Sequence, residues 1–501
     1  MEYSTEEPAI GKGLSEFQND DEDMEEEDDE DEEKFITKYF KKRFLVKRKK
    51  LNDDQNAMAF SGEESNSSLI EQLMANLSID EIFSKAKSSD LQEKLNGITQ
   101  IRKLVSSSAA DNSAAILNDF LSNSETLPLL IECLSLPNFE LQFEAAWILT
   151  NIAAGNSQQT KALFDAFVHF ALLKLIGTDC DLNVANQALW ALGNIMADND
   201  GFCFHCISAD IMKSITNQMK RFPESVEFFR TVSWVMGRMS HLRESPSFKE
   251  TAWDLFPALW ELLKQQQKDL EVCINAIWGL GYLTDKDINL VMNFDKRVIG
   301  YVSPHLASTN LELQIATLHF FGNCVSGTDE ITQEIIDRGV LKHLNKFLNH
   351  SNLDLKNEAA WMLSNILAGT NEQVNSVFTA GLMPTIIGLL ESDETSLQEK
   401  ALWAITNVPL CGSPQHINRL LDLDVLPPLC KILLTCSKTS ILQSVVEAIN
   451  GIQQQCGDRR KEIRRKILDS GAVDQLRQLR DHQNDAIQKN ATQILNNLFN
   501  E

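Results

Sequence analysis

The chain has 501 residues, 43% of them hydrophobic, and a net charge of −25. That length exceeds what one compact core supports, so several domains or an elongated repeat array are expected. Ten cysteines without a framework spacing, no signal-peptide pattern and no apolar run long enough to span a bilayer point to an intracellular, soluble protein with reduced thiols.

Residues 1–33 carry 17 acids against one lysine, and we expect a disordered acidic tail there. Residues 34–50 carry nine Lys/Arg and no acid, and the basic segment is taken to extend to residue 60. In "ITKYFKKRFLVKRKKLNDD", helical spacing places Phe40, Phe44 and Leu51 on one face, ringed by Lys41, Lys42, Arg43, Lys47, Arg48, Lys49 and Lys50. Taken alone, such a basic amphipathic helix is equally a membrane-surface or nucleic-acid arm. A linker at 61–77 follows, and from residue 51 onward the chain carries −18. An acidic body argues against nucleic acid and favours cationic partners.

From about residue 78 to the C-terminus at 501 the sequence repeats. "AAWILTNIAAG" (Trp147, Asn151) is followed by "ALWALGNIMAD" (Trp190, Asn194), "VSWVMGRMSH" (Trp234, Arg238) and "AIWGLGYLTD" (Trp278, Tyr282). Then come "TLHFFGNCVSGTD" (His319, Asn323), "AAWMLSNILAG" (Trp361, Asn365) and "ALWAITNVPLC" (Trp403, Asn407). The second slots lie 43, 44, 44, 41, 42 and 42 residues apart. The intervening stretches are apolar at helical spacing and no alternating β-branched run competes. A helical period of this length is the signature of HEAT and armadillo arrays. We therefore expect an all-α, right-handed superhelical solenoid of about ten repeats with a concave binding surface.

At roughly 100° per residue, Asn151 falls about 40° from Trp147, whereas Ala145, Ile148, Leu149 and Ile152 gather on the opposite side. For a single motif, an edge-of-core Trp and a capping or clamping Asn would suffice as an explanation. Six Trp and five Asn in one register favour a binding face instead. An Asn amide offers a donor and an acceptor to an extended backbone. Indole walls accept aliphatic stems and cationic heads, and Asp198, Asp329 and Glu358 lie on or beside the same face. The expected ligand is an extended, lysine-rich segment.

These motifs closely resemble importin-α, the karyopherin adaptor for basic nuclear localisation signals, along most of the chain. The resemblance implies a major signal site of Trp147, Asn151, Gly155, Trp190, Asn194, Asp198 and Trp234. It implies a minor site of Asn323, Gly327, Thr328, Asp329, Glu358, Trp361, Asn365, Trp403 and Asn407. The basic head then becomes an importin-β-binding segment through Lys41, Lys42, Arg43, Lys47, Arg48, Lys49 and Lys50. Implied partners are signal-bearing cargo, importin-β, an export receptor with Ran-GTP and, indirectly, the nuclear pore, in a chain that shuttles between cytoplasm and nucleus. No cofactor, metal, nucleic acid or membrane is implied.

Departures from the family pattern carry their own expectations. Arg238 stands in an Asn slot and removes a backbone clamp. His319 replaces an Arg, Lys400 replaces a Glu beside Trp403, and Pro409 alters the same repeat. The major site is expected to be sound and the minor site damaged. The family's self-masking basic cluster should fall near residues 55–60, where this chain reads "QNAMAF"; "KKR" at Lys41–Arg43 and "KRKK" at Lys47–Lys50 could substitute, but both lie on the stretch importin-β should claim, so weak self-masking is expected. "CFHC" (Cys203 to Cys206) lacks a second pair and is read as helix packing, and no phosphate loop, paired-carboxylate site, nucleophile elbow or HExxH points to an enzyme. The alternative is an armadillo scaffold of catenin type, which uses a basic groove for acidic ligands.

Overall fold

Each repeat ends in a long helix, and the residue before most of these helices is a short polar side chain that closes the first turn. Asn138, Asn310, Asn352 and Asn484 each accept the backbone N–H three residues on, at 2.8, 2.9, 2.9 and 3.0 Å. The computed structural model of the protein describes Arg43, Lys47 and residues 79–106, 118, 120–242, 248–293 and 296–500. The expectations for the acidic tail, the linker and Lys41, Lys42, Arg48, Lys49 and Lys50 fall outside these residues.

Among the described residues every regular element is helical. Ten long third helices are labelled here in chain order. The first five are α1 Leu91–Val105, α2 Phe139–Ala153, α3 Leu182–Asp198, α4 Val226–Ser240 and α5 Leu270–Lys286. The others are α6 Leu311–Val325, α7 Leu353–Leu367, α8 Thr395–Cys411, α9 Thr439–Gln455 and α10 Asp485–Phe499.

The array divides between Leu280 and Gly281 into two compact units. In the first, α1 packs on α2, α2 on α3 and α3 on α4. In the second, α6 to α10 pack in the same successive manner. Each repeat's shorter helices cover the other side, so Leu141, Ile148, Leu149 and Ile152 of α2 are enclosed with Leu129, Leu130 and Cys133 of the helix before it. Pro409 does not end α8, which continues to Cys411, and the ring packs against Gly451 of the next repeat, where a Cβ would lie 2.8 Å from it. Cys203 and Cys206 are both buried on one helix, and burial pushes the Cys203 thiol up to about 11 and that of Cys206 further.

His169 is buried and stacks on Phe164 with ring centroids 4.3 Å apart. Burial, with a smaller push from the charge of His205, lowers its pKa from 6.5 to about 4. The unfolded chain takes up a proton near pH 6.5 and the folded chain only near 4. This contribution is therefore complete above pH 6.5 and is lost as the pH falls toward 4, by up to roughly 3 kcal/mol. Replacing His169 with Phe should remove that slope. Urea unfolding of both chains at pH 7 and pH 4.5 should show the variant gaining stability relative to wild type at the lower pH, and parallel losses would refute the assignment.

Candidate functional site: a lysine seat and a ladder on the third helices

A helix that ends in glycine leaves carbonyls without intrahelical partners, and its C-terminal dipole attracts a cation. Just after α2, Gly155 presents such a carbonyl. A Cβ at this position would collide with the Gln159 amide, which is fixed by a reciprocal capping box with Asn156. Thr160, on the following helix, turns its hydroxyl toward the Ala153 and Asn156 carbonyls, 3.2 Å from each. From the next repeat, Asp198 closes α3 and receives the Ser157 hydroxyl at 3.0 Å.

Lys47 fills this triangle. Its Nζ lies 3.1 Å from the Gly155 carbonyl, 2.7 Å from Thr160 Oγ1 and 2.6 Å from Asp198 Oδ1. An ammonium has three protons to donate, and the seat supplies one acceptor for each. Arg43, four residues earlier, donates from Nε to Asn275 Oδ1 at 2.6 Å. Since Asn275 lies on α5 and Gly155 just after α2, the chain from Arg43 to Lys47 runs against the order of the repeats. The expectation of weak self-masking rested on the missing cations at 55–60; in the structure an earlier lysine, Lys47, occupies the seat. Thr160 and Asn275 were not among the sequence-derived site residues. The signal for Thr160 was legible as Gly-x4-Thr, which recurs at Gly327 and Thr332.

The ladder itself differs from its helical-wheel projection. Trp147, Trp234 and Trp278 are enclosed, whereas Trp190, Trp361 and Trp403 remain half-buried. The wheel placed them off the core stripe because it counts one helix at a time. In the stack, each third helix also meets the repeat before it. The Trp234 ring lies against Gly193 of α3 and the Trp361 ring against Gly322 of α6, positions where any Cβ would overlap the indole. Arg102 of α1 covers Trp147, its guanidinium carbon 4.3 Å from a ring centroid, and is itself held by Glu144 at 2.7 Å.

The asparagines act first as joints between repeats. Asn151 donates to Ser106 Oγ at 2.8 Å and Asn194 to the Thr150 carbonyl at 3.1 Å. In the second unit, Asn323, Asn365 and Asn407 donate to the carbonyls of Gly281, Gly322 and Ser364 at 3.0, 3.4 and 3.0 Å. An amide carries two N–H donors and two acceptor lone pairs, and the joint bond uses one of the donors. Arg238 belongs to the same device. It is buried, donates to the Met196 carbonyl at 3.0 Å and pairs with Asp200, so its charge is neutralised inside the joint. The side chain is thus committed to the joint between repeats, and a guanidinium offers no acceptor to a ligand backbone.

The second unit rebuilds part of the lysine seat. Thr332 Oγ1 lies 3.2 Å from the carbonyls of Val325 and Thr328, as Thr160 does from its own pair, and Gly327 supplies the matching helix end. Asp198 stands four residues after Asn194, and the residue four after Asn365 is Gly369, so this seat has no carboxylate at the corresponding place. Asp329 opens the helix beside it, and its carbonyl accepts from Gln373 at 2.8 Å. His319 stacks on Trp361 at 6.1 Å, tilts against Tyr282 at 6.3 Å and has Nδ1 3.5 Å from Glu358 Oε2. Lys400 places its Nζ 5.5 Å from the Trp403 ring centroid. The adjacent Glu399 is paired with Lys438 at 2.8 Å.

Stacked helical triplets with an amide joint at every third helix and a lysine seat beside them define an armadillo-type array. The family description "Armadillo/beta-catenin-like repeat" matches residues 119–154 and 328–368, and "HEAT-like repeat" matches 354–408. An engineered protein of known structure superposes with a TM-score of 0.71 at 23% identity, covering 84% of this chain and 98% of its own. Importin subunit alpha-3 of Caenorhabditis elegans is 39% identical over 416 residues, 83% of this chain and 79% of that protein. Importin subunit alpha-6 of Arabidopsis thaliana is 32% identical over 208 residues, 41% of this chain and 37% of that protein. The chain belongs to the importin-α family of nuclear-import adaptors, which are not enzymes, and the catenin-type alternative is set aside.

Proposed function

We propose that this adaptor binds lysine-rich nuclear localisation signals of cargo along its third helices and couples them to importin-β through the basic segment around Lys41–Lys50. The observation that carries the reading is the seat of Gly155, Thr160 and Asp198, whose three acceptors fit one lysine ammonium. The half-buried Trp190 offers an apolar wall on the neighbouring third helix, and the Asn151 and Asn194 amides are of the type that both donates to and accepts from an extended backbone. In this reading Lys47 stands in for a cargo lysine until importin-β draws the basic segment away. Release by an export receptor with Ran-GTP, passage through the pore and shuttling between cytoplasm and nucleus follow from the same role.

The direct test is titration of a fluorescent monopartite signal peptide against the full chain, with and without importin-β. Saturable binding that strengthens with importin-β and disappears when the peptide's central lysine becomes alanine is expected. Absence of binding in both conditions would overturn the reading.

The second unit is expected to contribute little to bipartite signals. Its seat lacks the carboxylate, and Lys400 already lies over Trp403. A bipartite peptide should bind within about threefold of a monopartite one, and Lys400→Glu should improve the bipartite peptide alone by roughly tenfold. A wild-type chain that already prefers the bipartite peptide strongly would refute this.

A further inference from the structure

The chain carries −25 overall, and its most acidic stretch is Asp20–Glu33, with 13 acids in 14 residues. The last repeat has the opposite character. Arg459–Lys466 holds six cations and a single acid. The helix Arg460–Asp469 buries Ile463 and Ile467, and this fixes its inner face. Arg460, Lys461, Arg464 and Arg465 remain exposed on the outer one.

The other two cations are neutralised locally. Arg459 pairs with Asp422 at 2.6 Å and Glu462 at 2.8 Å, and Lys466 with Asp424 at 2.6 Å and Glu462 at 3.2 Å. The four outer cations make no ion pair with a carboxylate among the described residues. Arg464 lies 5.6 Å from the Phe499 ring, a contact that steadies the side chain without cancelling its charge. In the same repeat Arg477, Arg480 and Lys489 line a cleft of about 570 Å³. Two like-charge pairs at i,i+4, Arg460 with Arg464 and Lys461 with Arg465, destabilise an isolated helix. A solvated face in an acidic protein has no need of them.

We propose that the outer face of the Arg460–Asp469 helix is a docking surface for an acidic peptide segment, and that its occupant is the chain's own Asp20–Glu33. The charges are complementary, and tethering in one chain gives the acidic run an effective concentration that a separate acidic peptide would have to exceed. Contact of this kind is electrostatic and weakens steeply with salt. The proposal does not depend on the signal-binding reading, since it concerns neither the lysine seat nor the ladder.

Zero-length carbodiimide cross-linking of the full chain, read by mass spectrometry, tests it, because Lys461 offers the reactive amine on this face. Cross-links from Lys461 to residues 20–33 are expected at a yield independent of protein concentration. The yield should fall about fivefold in roughly 0.5 M salt. It should fall about as much in an Arg460→Ala, Arg464→Ala, Arg465→Ala variant that keeps Lys461. These substitutions are exposed, and circular dichroism checks that the helices persist. Cross-links from the carboxylates of residues 20–33 that go to lysines within 41–50 instead of Lys461, that scale with protein concentration, or that persist unchanged in the triple variant would overturn the proposal.

Discussion

Replacing Lys47 with alanine should raise the affinity of the full chain for a monopartite signal peptide by roughly tenfold to a hundredfold. Lys47 makes three polar contacts in the seat, one of them to a carboxylate, and its side chain is 14% exposed there. Charge-assisted hydrogen bonds contribute about 1.5–3 kcal/mol to such an equilibrium. A ligand that must displace an internal occupant sees its affinity reduced by the fraction of molecules in which the seat is empty. Arg43→Ala should have a smaller effect, because Arg43 donates to Asn275 on α5 and not to the lysine seat. Importin-β should strengthen peptide binding by the wild type and add little to Lys47→Ala. Unchanged affinity in the variant would mean that Lys47 does not mask the site in solution.

The repeat was legible because its spacing recorded the helical stack before any contact was known. The face assignment was only half legible. A helical wheel gives the direction in which Trp147 or Asn194 leaves its own helix. It cannot show that the preceding repeat approaches from that direction and meets each side chain. The clue lay one residue before the Asn slot. Gly193 and Gly322 are seats for the next repeat's indole, and reading them as packing contacts would have predicted a joint. The role of Arg238 in the joint was illegible for the same reason: its partner Asp200 lies 38 residues away, on the far side of the joint. The Lys47–Lys50 run was weighed as a substitute for the missing cluster and set aside, because the same stretch is expected to serve importin-β. The seat selects for an ammonium and an extended approach, which "KRKK" supplies as well as any later cluster.

Substituting Asp198 with Asn, in the unmasked Lys47→Ala background, should abolish most signal binding while leaving the fold intact or slightly more stable. Asp198 is the last residue of α3, where a negative charge opposes the helix dipole. Its side chain is 8% exposed, and without a lysine in the seat its hydrogen-bond partner among the described residues is the neutral Ser157 hydroxyl. Removing the charge therefore relieves an unfavourable arrangement in the empty protein, worth a few tenths to about 1 kcal/mol. In the complex it deletes the only anionic acceptor of the three. Truncating one side of a desolvated charge pair typically costs about 2–5 kcal/mol, thirtyfold or more in affinity. Thr160→Val, which removes a neutral acceptor from the same seat, should cost about tenfold. The two measurements are a peptide titration and a thermal melt. Opposite signs, with binding lost and melting temperature equal or higher, identify Asp198 as a residue kept for its ligand. A fall in both would make it part of the joint between repeats, and retained binding would place the lysine seat elsewhere.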